Sequence, residues 1–293
     1  MFNGYIDMID DFRSEMFNFI YMGGVKFSEP HIIQVDVDGV LQNPVISLAP
    51  KYYVGAFLKH IMIHSLLDAV FESENPSLEN LGYVQKYKKL PEGNDYEVAV
   101  KETYRVLTMV RNVITHCKSK LASAEGRLVC SYMKKSDRNK SLIPISIDIT
   151  SGGLDILYSI AVMRSKLKGD VDAYHQLMIV AMYNSAKRKV ADFQDEYRFS
   201  SDIPLRTVST SQGVRWSRRY RLIAPEFRVD EDSVRFTRFS IPQQDKSWAG
   251  DEYLYSEDGS DYIIPGEFLD DHGSIFRRDL VNWKVINKVI RFG

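Results

Sequence analysis

Residues 95–126 read DYEVAVKETYRVLTMVRNVITHCKSKLASAEG. Asp95 opens the run, and Val98, Val100, Tyr104, Leu107, Val110 and Ile114 fall on or near one apolar face. With Gly126 past its end, the stretch predicts an amphipathic helix. Arg111, Asn112 and His116 sit late on that helix and give it a chemistry as well as a shape.

Working outward, Pro50 precedes a second helical pattern, Lys51 to about Glu74, which Asn75-Pro76 closes. Residues 77–94 are polar and broken by Pro91 and Gly93, and predict a loop with a short helix. Residues 127–149 read as strand, polar turn (Lys134 to Lys140), strand. Two helical patterns follow, Leu154 to Lys168 with Ser151 as the expected cap and Gly169 as the stop, then Val171 to about Phe193. Upstream, Ile6, Ile9, Phe12, Met16, Phe19 and Ile20 predict a helix over 2–22, ended by Gly23-Gly24, and Asp38-Gly39 predicts a hairpin over 31–48. Several helices with short connections imply a mainly α fold: an antiparallel bundle with β-hairpin insertions near 31–48 and 127–149. Helical periodicity is lost after about residue 200, where runs such as Val234 to Phe239 and Tyr253 to Tyr255 are β-branched and aromatic. The expected organisation is a helical domain over 1–195 and a β-rich or irregular domain or arm over 200–293.

The 293 residues are 44% hydrophobic and 26% charged, enough apolar material for a substantial core. A formal net charge of -1 excludes a general polyanion sponge, so nucleic-acid binding must come from local patches. The two cysteines, Cys117 and Cys130, are too few for a disulfide scaffold. Asp7, Asp10 and Asp11 stand where an export signal would be apolar or basic, and Lys59, His60, His64 and Asp68 interrupt the most apolar stretch. The expectation is a cytoplasmic protein without a membrane span.

Cleavage of RNA by its own 2′-hydroxyl needs a base, a cation on the phosphate and an acid for the leaving oxygen. Arg111 offers a planar fork for two phosphate oxygens. His116 offers an imidazole, the side chain most often used as general acid or base. Asn112, four residues before His116, shares its helical face and can orient it. Arg111 and His116 lie ~140° apart around a straight helix, so two copies meeting across a two-fold axis would complete one site. Ser119 and Lys120, one turn further, would extend the polar face.

The run Val110-Arg111-Asn112-Val113-Ile114-Thr115-His116, late in a core helix, resembles the Arg-x4–6-His signature of the HEPN superfamily in its Arg-Asn-x3-His form. The resemblance covers about residues 50–190. It implies a helical bundle carrying a metal-independent endoribonuclease, with no cofactor, a homodimeric site at the subunit seam, and a toxin or antiviral-defence role in which an inhibitory protein can be a partner. Some HEPN proteins have lost catalysis, so the competing reading is a binding or assembly module acting through the C-terminal region. The plainest reading leaves Arg111 and His116 solvated at a helix end.

His60, His64, Asp68 and Glu72 recur every four residues. This spacing can chelate a metal, yet no strong third ligand is identified and a polar stripe is the commoner meaning. Asp68 or His64 is the expected support for Arg111 or His116. Residues 206–238 interleave arginines with aromatics, and Arg215, Trp216, Arg218, Arg219, Tyr220 and Arg221 are the expected RNA contacts. An acidic stretch from Asp245 to Asp271 follows and could instead neutralise them. Gly152-Gly153 lacks the residues of a specific phosphate loop.

Overall fold

The computed structural model describes residues 32–35, 53–116, 120–124, 126–135, 142–167, 169–195, 205–209, 219–222, 225–237 and 250–286. The proposed helix over 2–22 and most of the proposed hairpin over 31–48 lie outside them. The described residues are 50% helix and 28% strand, which corrects the expected mainly α bundle to a mixed α and β fold. The chain divides into two compact units, one of residues 45–169 and 178–211, the other of 1–44, 170–177 and 212–293.

In the first unit, helices α1 (Tyr53–Glu74), α3 (Asp95–His116) and α4 (Ser151–Lys166) pack on one another, and the short helix α2 (Tyr83–Lys89) lies on α3. Leu67, Val106, Leu107, Val113, Ile156 and Ile160 are wholly buried among them. Of the helix α5 (Ala173–Arg188), residues 178–188 belong to this unit. A four-stranded antiparallel sheet runs in the order β2 (Leu121–Ala124), β3 (Arg127–Lys135), β4 (Leu142–Thr150), β5 (Val190–Gln194). Register aligns Cys130 with Ile147, Leu128 with Ile149 and Ile147 with Phe193. These residues share a face, and Ile145, Ile147, Ile149 and Phe193 on it are essentially inaccessible.

That burial explains the correction. The expected hairpin insertion over 127–149 is the centre of a sheet that supplies core, and 190–194, read as a helix end, is its edge strand. The motif helix also stops sooner than its composition suggests. Leu121–Ala124 turns back on β3 instead of extending it, and Gly126, at φ +71, is a hairpin glycine rather than a residue beyond a helix end. Similarly, the cap of α4 is Thr150, whose hydroxyl accepts from the Gly153 N–H at 3.0 Å, while Ser151 is already helical.

In the second unit, β1 (Ile32–Val35), β6 (Arg219–Leu222), β9 (Asp251–Glu257) and β10 (Ser260–Pro265) form one sheet in that order, with β6 and β9 parallel. The β9–β10 turn is Asp258-Gly259, both at positive φ, the geometry a two-residue hairpin requires. A three-stranded antiparallel sheet runs in the order β11 (Ser274–Phe276), β8 (Ser233–Phe236), β7 (Phe227–Val229), and the one-turn helix α6 (Arg277–Leu280) follows it. Val234, Phe236, Tyr253, Tyr255, Ile264 and Trp283 make this unit's core, with Phe236 and Tyr253 ring centroids 4.8 Å apart.

Candidate functional site

Helix α3 is enclosed on all sides along most of its length. Every residue from Val98 to Val110 is buried, polar ones included. The polar positions are therefore paired, as burial demands. Lys101 donates to Glu92 at 2.7 Å and to the Leu90 carbonyl at 3.2 Å. Arg105 holds Asp195 through two N–H groups, at 2.6 and 3.1 Å, and reaches Glu102 at 3.2 Å. Burial alone would lower the Arg105 pKa, but the hydrogen bond and charge of Asp195 outweigh it and raise it. Glu102 also accepts from Tyr87 and from the Arg206 N–H. An amphipathic pattern did not reveal this. The Glu102/Arg105 spacing was a visible signal, whereas nothing local marks Asp195, ninety residues away.

At its last turn the helix emerges. Arg111 and Asn112 are half-buried, and Thr115 and His116 are exposed. Arg111 Nη1 donates to Asn112 Oδ1 at 2.9 Å, and the Thr115 hydroxyl donates to the Arg111 carbonyl at 3.0 Å. Asn112 therefore holds Arg111 rather than His116. Among the described residues no hydrogen bond or ion pair engages the His116 ring, and the residue is exposed. Five residues of helix separate the two groups by roughly 7.5 Å along the axis and ~140° around it. One copy presents the cation and the imidazole on different sides of the helix end.

Of the expected supporting residues, His64 lies near the motif. Its Nε2 is 2.9 Å from the Thr108 hydroxyl and its ring stacks on Tyr104. Burial lowers its pKa to about 4, with the Asp68 charge opposing and the Arg111 and Lys86 charges reinforcing, so at pH 7 it is neutral. Asp68 is engaged elsewhere. It accepts from Lys86 Nζ at 2.9 and 2.8 Å and from the Tyr104 hydroxyl at 2.6 Å. Glu72 takes the same ammonium at 2.5 Å. His60 is committed too, since its Nε2 donates to the Leu107 carbonyl at 2.9 Å and its Nδ1 faces the Tyr158 hydroxyl at 2.8 Å. Burial drives its pKa down to about 3. The stripe of four thus splits into two neutral core imidazoles and two carboxylates on one lysine. Among the described residues no group of three His, Cys, Asp or Glu is arranged to hold a metal ion.

Lys120 does not extend the helix. It is exposed just before β2, with its Nζ 5.0 Å from the Tyr132 ring centroid. Ser119, Arg215, Trp216 and Arg218 lie outside the described residues. Arg219, Tyr220 and Arg221 belong to β6. Arg206, the first arginine of the basic segment, pairs with Glu92 at 2.5 Å rather than with the acidic stretch. No described helix is long and apolar enough to cross a membrane. Set against protein families, curated proteins and solved structures, the chain matches none of them.

Proposed function

We propose that the chain is a metal-independent endoribonuclease of HEPN type, acting in the cytoplasm as a homodimer in a toxin or defence role. The observation that carries this reading is the emergence of α3. A helix buried from Val98 to Val110 delivers Arg111, Asn112 and His116 to the surface within its last turns, with the arginine already held by its neighbour. The HEPN likeness rests on this motif, because the bundle expected around it is corrected to a mixed fold. Arg111 grips the scissile phosphate, His116 moves the proton, and the second subunit supplies the complementary pair that one helix end keeps apart.

The test is purified protein incubated with mixed RNA, with and without chelator, beside His116→Ala. Cleavage is expected to survive chelator and to fall by roughly 10²–10⁴ in the variant, the usual contribution of a positioned acid or base. Because His116 is exposed, the fold and dimer should be unchanged by circular dichroism and sedimentation. Cleavage at the wild-type rate by His116→Ala refutes the mechanism. A folded monomer that cleaves at full rate refutes the shared site.

A further inference from the structure

We infer that the open face of the β7–β8–β11 sheet binds single-stranded RNA. The inference rests on RNA being this protein's ligand, but not on the cleavage chemistry. Register puts Arg228 directly opposite Arg235, and Arg235 opposite Ser274. Alternation then sets Phe276 on the same face as both arginines, and Val229, Val234 and Ile275 on the other. Arg228 and Arg235 are exposed, and Phe276 keeps 53% of its surface in solvent. The Arg278 guanidinium lies 4.8 Å from the Phe276 ring centroid, and its side chain is 79% exposed.

Two arginines facing each other across adjacent strands, with Cβ atoms about 5 Å apart, repel in the free protein. Among the described residues neither has a carboxylate at ion-pair distance, although Glu226 and Asp230 flank Arg228 in sequence. Asp270 directs its Oδ1 to its own turn, accepting from the His272 and Ser274 N–H groups at 2.9 Å each. Among the described residues the ion-pair partner of Arg278 is Asp279 alone, at 3.9 Å. Arg235 is aimed, since its Nε donates to the His272 carbonyl at 3.1 Å and among the described residues its terminal nitrogens make no hydrogen bond. A phosphate between Arg228 and Arg235 turns the repulsion into attraction. An exposed phenylalanine beside them gives an unpaired base a surface to stack on. A duplex keeps its bases inside and cannot use that ring, and an acidic peptide has no base to stack. Sequence reading placed RNA binding within residues 206–238, with Arg215 to Arg221 foremost; within that segment the sheet sets Arg228 opposite Arg235 and adds two residues from the far side of the acidic stretch.

The experiment measures binding of the full chain to a fluorescent 2′-O-methyl oligonucleotide, which cannot be cleaved, across a salt series. Arg228→Ala/Arg235→Ala should lower the log–log salt slope by roughly 0.7, the share of the one phosphate they hold between them, while Arg228→Lys/Arg235→Lys keeps it. Phe276→Ala should weaken binding about tenfold, within the range for one stacked base, and Phe276→Trp should restore it. Wild-type affinity and slope in the double alanine variant overturn the inference. So does binding of polyglutamate as tight as that of RNA. His116-dependent cleavage with unaltered binding in the sheet variants sinks only this surface, whereas face-dependent binding without cleavage sinks only the nuclease reading.

Discussion

Acid should weaken this protein before its carboxylates begin to titrate. His60 and His64 are buried side by side on α1, and each is held neutral chiefly by burial, at about 3 and about 4 against an ordinary 6.5. The unfolded chain binds these protons at pH 6.5 and the native state does not. Stability therefore falls as pH drops through 6.5 and stops falling only below the folded values. At pH 5 the linkage costs about 2 kcal/mol for each imidazole, about 4 together, relative to pH well above 6.5. That is a large share of the ~5–15 kcal/mol that holds a domain folded. Unfolded carboxylates titrate near 4, so the window between pH 7 and 5 isolates the histidines. Urea unfolding followed by far-ultraviolet circular dichroism at pH 7, 6 and 5 reads the slope directly. His60→Gln can still bond the Leu107 carbonyl without titrating, and should remove about half of it. An unchanged slope in that variant, or a wild-type stability flat across the window, refutes the reasoning.

Asp195→Asn should cost about 3–5 kcal/mol by urea unfolding, because it takes from the buried Arg105 the carboxylate at 2.6 Å and leaves the longer ion pair to Glu102 at 3.2 Å; a loss under about 1 kcal/mol would show that the cation finds water instead. The adjacent glycines Gly152 and Gly153 should respond with opposite signs in thermal melts. A Cβ on Gly153 would meet Lys189 Cβ at 2.9 Å and Ile149 Cγ1 at 3.0 Å, so Gly153→Ala destabilises by about 1–2 kcal/mol. On Gly152 the nearest atom is Lys189 Nζ at 3.8 Å, and Gly152→Ala gains up to about 1 kcal/mol.

The sequence made the helices and several strands legible where pattern and burial agree. Val98 to Ile114 spelled a helix, and Ser233–Phe236 and Asp251–Glu257 fall where β-branched and aromatic residues concentrate. Errors arose where one residue type serves two structures. Gly126 fits a helix end as readily as a hairpin, and only the pairing of Leu121 with Cys130 decides between them. Val190–Gln194 continues the apolar spacing of a helix, but Phe193 finds its burial beside Ile147. At the candidate site, the closeness of Arg111 and Asn112 was readable from adjacency. The burial of His64 against Thr108 and Tyr104 depended on how two helices pack, which periodicity does not encode. The cross-strand partner of Arg228 likewise follows from register, not from the density of arginines along the segment.

The pairing of Arg105 with Asp195 also sets an order of events during synthesis. The helix that carries Arg111 and His116 is complete in sequence at residue 116, yet its buried cation waits ninety residues for its anion. Until the ribosome has released that aspartate, enclosing α3 means burying Arg105 without the carboxylate it holds at 2.6 Å, at a cost of several kcal/mol. The packed helix end is thus assembled late. For a protein whose proposed substrate is RNA, this delay keeps the nascent chain beside a ribosome from presenting a finished Arg111–His116 surface.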